Sequence, residues 1–219
     1  MDARQKKSAG HAADQDIERR LVVLQRELAS CSACPNMVGP VVHGPPVVTR
    51  IYLLGQAPGP HEGKIGKPFA WTAGKTLFKW FNDALGMSEE TFRERIYMSA
   101  VARCFPGKAN GGGDRKPAPD EIDRCQRFVM REVEILKPKL VIPIGALAIS
   151  RVLGEIGKLD TIIGQTKQAT YHGEKVDVIP LPHPSGVSSW HRVEPGKTLL
   201  LKAFEELRAH PEIQRALVK

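Results

Sequence analysis

The chain has 219 residues, with 32 Lys and Arg against 24 Asp and Glu, a formal net charge of +8 and a pI near 9.4. This length suits one α/β domain. The positive charge favours a polyanionic partner, although a generic basic surface has the same balance. No stretch approaches the roughly 18 to 20 apolar residues of a membrane span. Residues 1–16 lack the apolar core of a signal peptide. We therefore expect a disordered tail over residues 1–16, a single domain over residues 17–219, a cytoplasmic monomer and no membrane partner.

The first elements lead to a loop suited to ligand binding. Apolar spacing predicts a helix over residues 17–28, which ends next to Cys31 and Cys34. Residues 50–54 are a short apolar strand that runs into residues 55–69, a segment too rich in Gly and Pro for regular structure. Open α/β sheets bind ligands in loops at the carboxyl ends of their strands.

The rest of the chain continues to alternate strand and helix. Strands that alternate with helices indicate a parallel sheet covered by helices on both faces. The further strands are predicted over residues 95–102, 139–144 and 176–180, and the further helices over residues 73–85, from near Pro119, from Gly145 to Val152 and over residues 197–207.

The chain has four cysteines, Cys31, Cys34, Cys104 and Cys125. Disulfides rarely persist in a reducing cytosol, so a set with one close pair indicates metal ligands. The spacing does not distinguish zinc from an iron–sulfur cluster. Four unrelated buried thiols are the alternative, and the use of all four, with none left over, argues against it.

Four short motifs follow one another in the chain: GQAPG at 55–59, GKPF at 66–69, ARCFP at 102–106 and His183-Pro184-Ser185. In this order, with this cysteine layout, they resemble the uracil-DNA glycosylase superfamily. The resemblance is greatest to the iron–sulfur family 4, with some features of family 5. It implies a three-layer α/β/α sandwich around a four-stranded parallel sheet. It also implies a structural 4Fe-4S cluster on the four cysteines, with residues 109–114 as an insertion in a loop.

The resemblance further implies a DNA repair enzyme of the base-excision pathway, associated with the nucleoid. Such an enzyme extrudes the uracil nucleotide from single- or double-stranded DNA and hydrolyses its N-glycosidic bond. Phe69 matches the ring that stacks on the base, and a core phenylalanine is the alternative. His183 matches the donor to the departing uracil anion. The implied substrate-binding residues are Gly55, Ala57, Pro58, Gly59, Phe69, Ala100 and Ser185, and the implied DNA contacts are Pro184, Val187, Trp190, His191 and Arg192.

The chain departs from the family pattern where a carboxylate is expected. Gln56 stands where family 4 usually has glutamate, and Ala57 stands where the best-known glycosylases have aspartate. Ala100 replaces a base-recognising asparagine, and Thr72 or a neighbour replaces an aspartate of family 5. Either His61 positions or protonates the water, or Gln56 and backbone groups suffice in a dissociative reaction. The candidate catalytic residues are therefore His183, Gln56 and His61.

Three functions remain open from the sequence. The first is a monofunctional uracil-DNA glycosylase that leaves an abasic site. The second is a non-catalytic protein that binds uracil or abasic sites, because Gln56 and Ala57 lack a carboxylate. The third is a glycosylase for another deaminated base, because Ala100 does not enforce a pyrimidine edge.

Overall fold

The computed structural model describes residues 3–186 and 188–218, with side chains described from residue 10 onward. Its centre is one sheet with strand order β2-β1-β3-β5-β4. Strands β2, β1, β3 and β5 are parallel. The strands are Ile51–Gly55 (β1), Tyr97–Ala100 (β2), Leu140–Pro143 (β3), Lys167–Tyr171 (β4) and Glu174–Val178 (β5).

The sheet has five strands, so the predicted count of four is wrong, although the predicted α/β class is confirmed. The additional strand β4 pairs antiparallel with β5, with Tyr171 opposite Glu174. His172 and Gly173 between them both have positive φ, as a two-residue hairpin turn requires. β4 is a largely polar edge strand, so it has no continuous apolar run to mark it in the sequence.

Helices cover both faces of the sheet. α1 packs on α5 on one side, and α3 packs on α7 on the other. None of the helices described is both long and apolar enough to span a bilayer. The helices are Ala3–Ala29 (α1), Glu62–Ile65 (α2), Thr72–Leu85 (α3), Glu89–Arg95 (α4), Pro119–Leu136 (α5), Gly145–Leu153 (α6), Gly196–Ala209 (α7) and Pro211–Leu217 (α8).

The interior strand β1 contributes to two hydrophobic cores. Ile51 and Leu53 pack with α3, α4, α7 and α8, whereas Tyr52 and Leu54 pack with α1 and α5. Successive side chains of a strand point to opposite faces, so β1 is buried on both. The continuous apolar run at residues 51–54 follows from this position.

The first helix differs from its predicted extent. α1 begins at Ala3, whereas the helix predicted from the sequence begins near residue 17. The described side chains of residues 10–15 are all exposed, and packing begins at Asp16 and Ile17. An isolated helical extension of this kind is marginal in water, so disorder of the tail stays a prediction.

Two helices, α4 and α8, are additional to those predicted, and α2 lies inside the loop that was expected to lack regular structure. Signals for α4 exist in the sequence. The Ser88 hydroxyl accepts a hydrogen bond from the Thr91 N–H at 3.2 Å, and Glu89 and Glu90 occupy the first turn.

Candidate active site

The loops that follow β1 and β3 lie at the carboxyl edge of the sheet. The strand order reverses between these two strands, which is where open α/β sheets bind ligands. The Ile144 N–H donates to the Leu54 carbonyl at 2.8 Å, so Gly55 at the end of β1 and Gly145 at the start of α6 lie at the same edge. Gly55 is also in register with Ala100 of β2.

Phe69 is held rigidly against this edge. Its φ is +53°, a left-handed conformation that is unusual for a bulky residue and that clusters at functional sites. Arg93 donates to the carbonyls of Pro68 and Phe69 at 3.1 and 3.3 Å. A Cβ at Gly74 would lie 1.7 Å from the Phe69 carbonyl oxygen, so only glycine fits there. The ring lies beside Gly55, where an added Cβ would be 3.1 Å from Cζ.

His183 follows β5 and lies against Gly145. Its Nδ1 accepts a hydrogen bond from the Ser185 backbone N–H at 3.2 Å, so the neutral ring carries its proton on Nε2. A Cβ at Gly145 would lie 3.1 Å from His183 Cδ2, and Gly145 has φ +81°. Gly145 thus seats the imidazole, a role that no signal in the sequence indicates.

Burial lowers the pKa of His183 below its usual 6.5, and the Asp114 carboxylate acts in the opposite direction. The imidazole is therefore neutral at pH 7. A neutral ring with its proton on Nε2 is a hydrogen-bond donor that can face a developing oxyanion.

Two carboxylates lie near Gly59 in the loop of residues 55–69, although Gln56 and Ala57 provide none. Glu62 is 8% exposed, and its Oε2 accepts the Gly59 N–H at 2.7 Å. Asp114 Oδ2 is 3.5 Å from the position of a Cβ on Gly59. Burial and Asp114 raise the pKa of Glu62, while hydrogen bonds from the backbone N–H groups of Gly59 and Glu62 lower it.

These two carboxylates were not predicted from the sequence. Glu62 lies three residues after Gly59, so its sequence position was a usable signal. Asp114 lies in the insertion at residues 109–114, where nothing in the sequence indicates a fold contact.

The other candidates of the first loop differ in exposure. Gln56, Ala57 and Pro58 are half-buried at the end of β1, and the Gln56 carbonyl accepts the Ala102 N–H at 3.0 Å. His61 is exposed, and its ring stacks on Trp71 with centroids 4.2 Å apart and planes at 27°.

The predicted DNA-contacting segment follows Pro184. Trp190 is half-buried against the core, and its Nε1 donates to Asp160 at 2.9 Å. His191 packs edge-on to Trp80, and Arg192 is exposed and donates to the Gly186 carbonyl at 2.8 Å. Pro184 is buried, and Val187 lies outside the described residues.

The four cysteines line one cavity of about 390 Å³ between the end of α1, the end of β2 and α5. All four are unpaired and half-buried. Burial and the neighbouring Cys125, Cys34 and Cys31 thiols raise the pKa of Cys104 to about 11. Over residues 3–186 and 188–218, no three His, Cys, Asp or Glu side chains come close enough to hold a single metal ion.

A buried polar cluster lies beside this cavity. Arg103, which precedes Cys104, forms an ion pair of 2.5 Å with Glu132 of α5, and both side chains are almost fully buried. Tyr52 and Tyr97 donate to Glu132 at 2.6 and 2.9 Å. Arg103 Nε also donates to the Ala100 carbonyl at 3.0 Å. The cluster therefore joins the cysteine cavity to Ala100 at the end of β2.

Comparison with known proteins agrees with this arrangement. The family model of the uracil DNA glycosylase superfamily matches residues 41–208. A type-4 uracil-DNA glycosylase of Thermotoga maritima is 31% identical over 77% of this chain and 83% of its own length. One of Saccharolobus solfataricus is 31% identical over 62% of this chain and 61% of its own length, so the match spans less than two thirds of that relative.

A type-5 uracil-DNA glycosylase of Pyrobaculum aerophilum is also similar, with 26% identity over 68% of this chain and 74% of the relative. The predicted resemblance to family 4, with features of family 5, is thereby confirmed. Because the family model covers most of the chain, and because its motif residues lie together at one edge of the sheet, the chain belongs to the uracil DNA glycosylase superfamily.

Proposed function

We propose that the protein excises uracil from DNA by hydrolysing its N-glycosidic bond, which leaves an abasic site for base-excision repair. One observation carries this proposal: a rigidly held aromatic ring, Phe69, lies beside Gly55 at the end of β1, and a neutral imidazole donor, His183, lies against Gly145 after the adjacent strand β3. The type-4 names of the relatives support the choice of uracil.

In the proposed mechanism the target nucleotide is extruded, and its base stacks on Phe69 beside Gly55 and Ala100. Uracil leaves as an anion, so a donor aimed at its developing oxyanion lowers the barrier. His183 Nε2–H provides that donor without a net charge. The backbone N–H of Ser185 holds Nδ1 and thereby sets the tautomer, and the segment from Pro184 onward contacts the DNA backbone.

The attacking water needs an acceptor, and positive charge that develops on the sugar needs an anion. We assign the first role to Gln56, which is half-buried at the end of β1. We assign the second to Asp114, whose carboxylate lies near Gly59 and acts on His183. Since the exposed ring of His61 stacks on Trp71, we place His61 in DNA contact rather than beside the water.

We further propose that the four cysteines hold a 4Fe-4S cluster. Two sulfurs on one tetrahedral zinc lie roughly 3.8 Å apart, given Zn–S bonds of about 2.3 Å. Four half-buried thiols around one cavity, without a site for a single ion in the described part of the chain, suit a larger group better. When bound, the cluster supplies a structural cross-link between the end of α1, the end of β2 and α5.

We also propose that residues 17–219 form one domain that acts as a monomer on single- or double-stranded DNA in the nucleoid. The continuous pair of cores over both faces of the sheet supports a single domain. The net charge of +8 supports a polyanionic ligand.

The test is a gel assay with end-labelled oligonucleotides that contain one uracil, hypoxanthine, xanthine or thymine, followed by alkali. Cleavage at uracil alone is the expected result. Cleavage at hypoxanthine or xanthine but not at uracil would show that the substrate is another deaminated base. That result would agree with the absence of a side-chain donor at Ala100. Tight binding of the uracil strand without cleavage would instead indicate a binding protein.

A further inference from the structure

An exposed aromatic pair, Trp71 and His61, lies directly beyond Phe69, and Trp71 has no part in the mechanism above. Trp71 is 44% exposed although the His61 ring already covers part of it, with centroids 4.2 Å apart. An exposed aromatic ring next to the place where the extruded base would lie can stack on an unpaired base. One residue, Ala70, separates Trp71 from Phe69 in the chain.

The surroundings of the pair are cationic. Lys75 Nζ lies 6.0 Å from the centroid of the Trp71 ring, and Lys64 and Lys67 are exposed on the adjoining loop. Among the described residues, the lysines in salt bridges are Lys79 and Lys108, so these three cations are unpaired there. The first turn of α3, which begins after Trp71, contains no acidic residue.

From these features we propose that Trp71, backed by His61, is a stacking platform for an unpaired base next to the extruded nucleotide in single-stranded DNA. Lys64, Lys67 and Lys75 would contact the phosphates on either side. The inference rests on the proposed function in taking DNA as the ligand. Aromatic rings combined with unpaired lysines are the chemistry that binds single strands without sequence preference, because every base has a π-face.

The platform implies a preference for single-stranded DNA. In a duplex the neighbouring bases are paired and stacked on each other, so no free base reaches the indole. A substitution at Trp71 should therefore weaken binding to a single strand much more than binding to a duplex.

The experiment measures the Kd of the full-length protein for a fluorescein-labelled oligothymidylate and for a labelled duplex, neither containing uracil. Trp71→Ala should raise the single-strand Kd by about 5- to 150-fold, as loss of one base stack does. Trp71→Phe should restore most of the affinity. The matched control is Met130→Ala, an apolar residue that is 47% exposed on α5 in the opposite helix layer, and it should leave both Kd values unchanged.

Tryptophan fluorescence provides a second readout. The wild-type signal should be quenched on addition of unlabelled oligothymidylate, and Trp71→Phe should lose most of the quenching, because Trp80 and Trp190 are half-buried. An unchanged single-strand Kd in Trp71→Ala, or equal weakening for single strand and duplex, would overturn the proposal.

The outcomes also separate this inference from the proposed function. Uracil cleavage by the wild type with no effect of Trp71→Ala on binding would remove the platform and keep the enzyme. Binding and quenching that depend on Trp71, without cleavage of any uracil strand, would keep the platform and remove the enzymatic activity.

Discussion

The neutral state of His183 depends on two opposing surroundings. Burial against Gly145 disfavours the imidazolium and lowers its pKa, whereas the negative charge of Asp114 favours the imidazolium. Protonation of Nδ1 would remove the Ser185 N–H hydrogen bond that orients the ring, so cleavage needs the neutral imidazole. Activity should thus be retained at pH 7 and fall on the acid side at a pH below 6.5.

Asp114→Asn tests this coupling. Removal of the negative charge lowers the pKa of His183 further, so the acid limb of the kcat profile should move to lower pH. The value of kcat at neutral pH should also fall, since the charge that faces the sugar is lost. The profiles are measured by uracil cleavage, with Asp123→Asn on the exposed side of α5 as the control. An acid limb that stays in place would contradict the proposed coupling.

The residues of the site were predictable to different degrees. Phe69 and His183 lie in short contiguous motifs, so local sequence was enough to single them out as candidates. Gly145, Glu62 and Asp114 act through contacts between loops that are far apart in the chain, and no periodicity or spacing records such contacts. The stack of His61 on Trp71 likewise depends on how the loop turns before α3.

The turn from β3 into α6 positions the imidazole of His183. Gly145→Ala introduces a side chain at φ +81° and 3.1 Å from His183, so it should lower kcat by shifting the imidazole. The matched control is Gly154→Ala at the end of the same helix. Its φ is +82°, and an added Cβ there would meet nothing within 4 Å, so this variant introduces backbone strain without the contact.

Both substitutions should cost roughly 1–3 kcal/mol of stability, because a positive φ is strained for a residue that carries a Cβ. Urea unfolding measures that cost, and single-turnover cleavage measures the active site. Equal losses of activity in the two variants would show that Gly145 has no specific role in seating His183.

The buried pair Arg103–Glu132 ties β2 to α5. Glu132→Ala leaves a buried guanidinium without its partner, so the free energy of unfolding should fall by about 3–5 kcal/mol. The control is Glu27→Ala, which removes the exposed partner of Arg131 on the same helix and should leave stability unchanged. Denaturant unfolding compares them, and a stable Glu132→Ala variant would contradict the role given to this cluster.

Most elements were predictable because apolar residues repeat with a clear period. Residues 51–54 form a strand buried on both faces, and α5 begins at Pro119 with Glu121 accepting the Ala118 N–H at 2.7 Å. β4 was missed because an edge strand has few buried side chains. α2 and α8 span only four and seven residues, too few to show a helical period.

A cluster bound by the four cysteines would link three separate segments of the chain. Cys104→Ala should reduce bound iron and the visible absorption of the purified protein and lower Tm, where 1 kcal/mol corresponds to about 2–4 °C. Met37→Leu, which alters an apolar residue of the same cavity, should leave the iron content unchanged. Full iron content in Cys104→Ala would contradict the assignment of this ligand.

The central claim is that this fold releases uracil from DNA with His183 as the donor. The most direct measurement is the amount of free uracil released from a single-stranded oligonucleotide by the wild type and by His183→Ala. We expect release by the wild type and a reduction in kcat of about 10²–10³ in the variant, as for the loss of one oxyanion donor. No free uracil from the wild type, or equal release by both proteins, would contradict it.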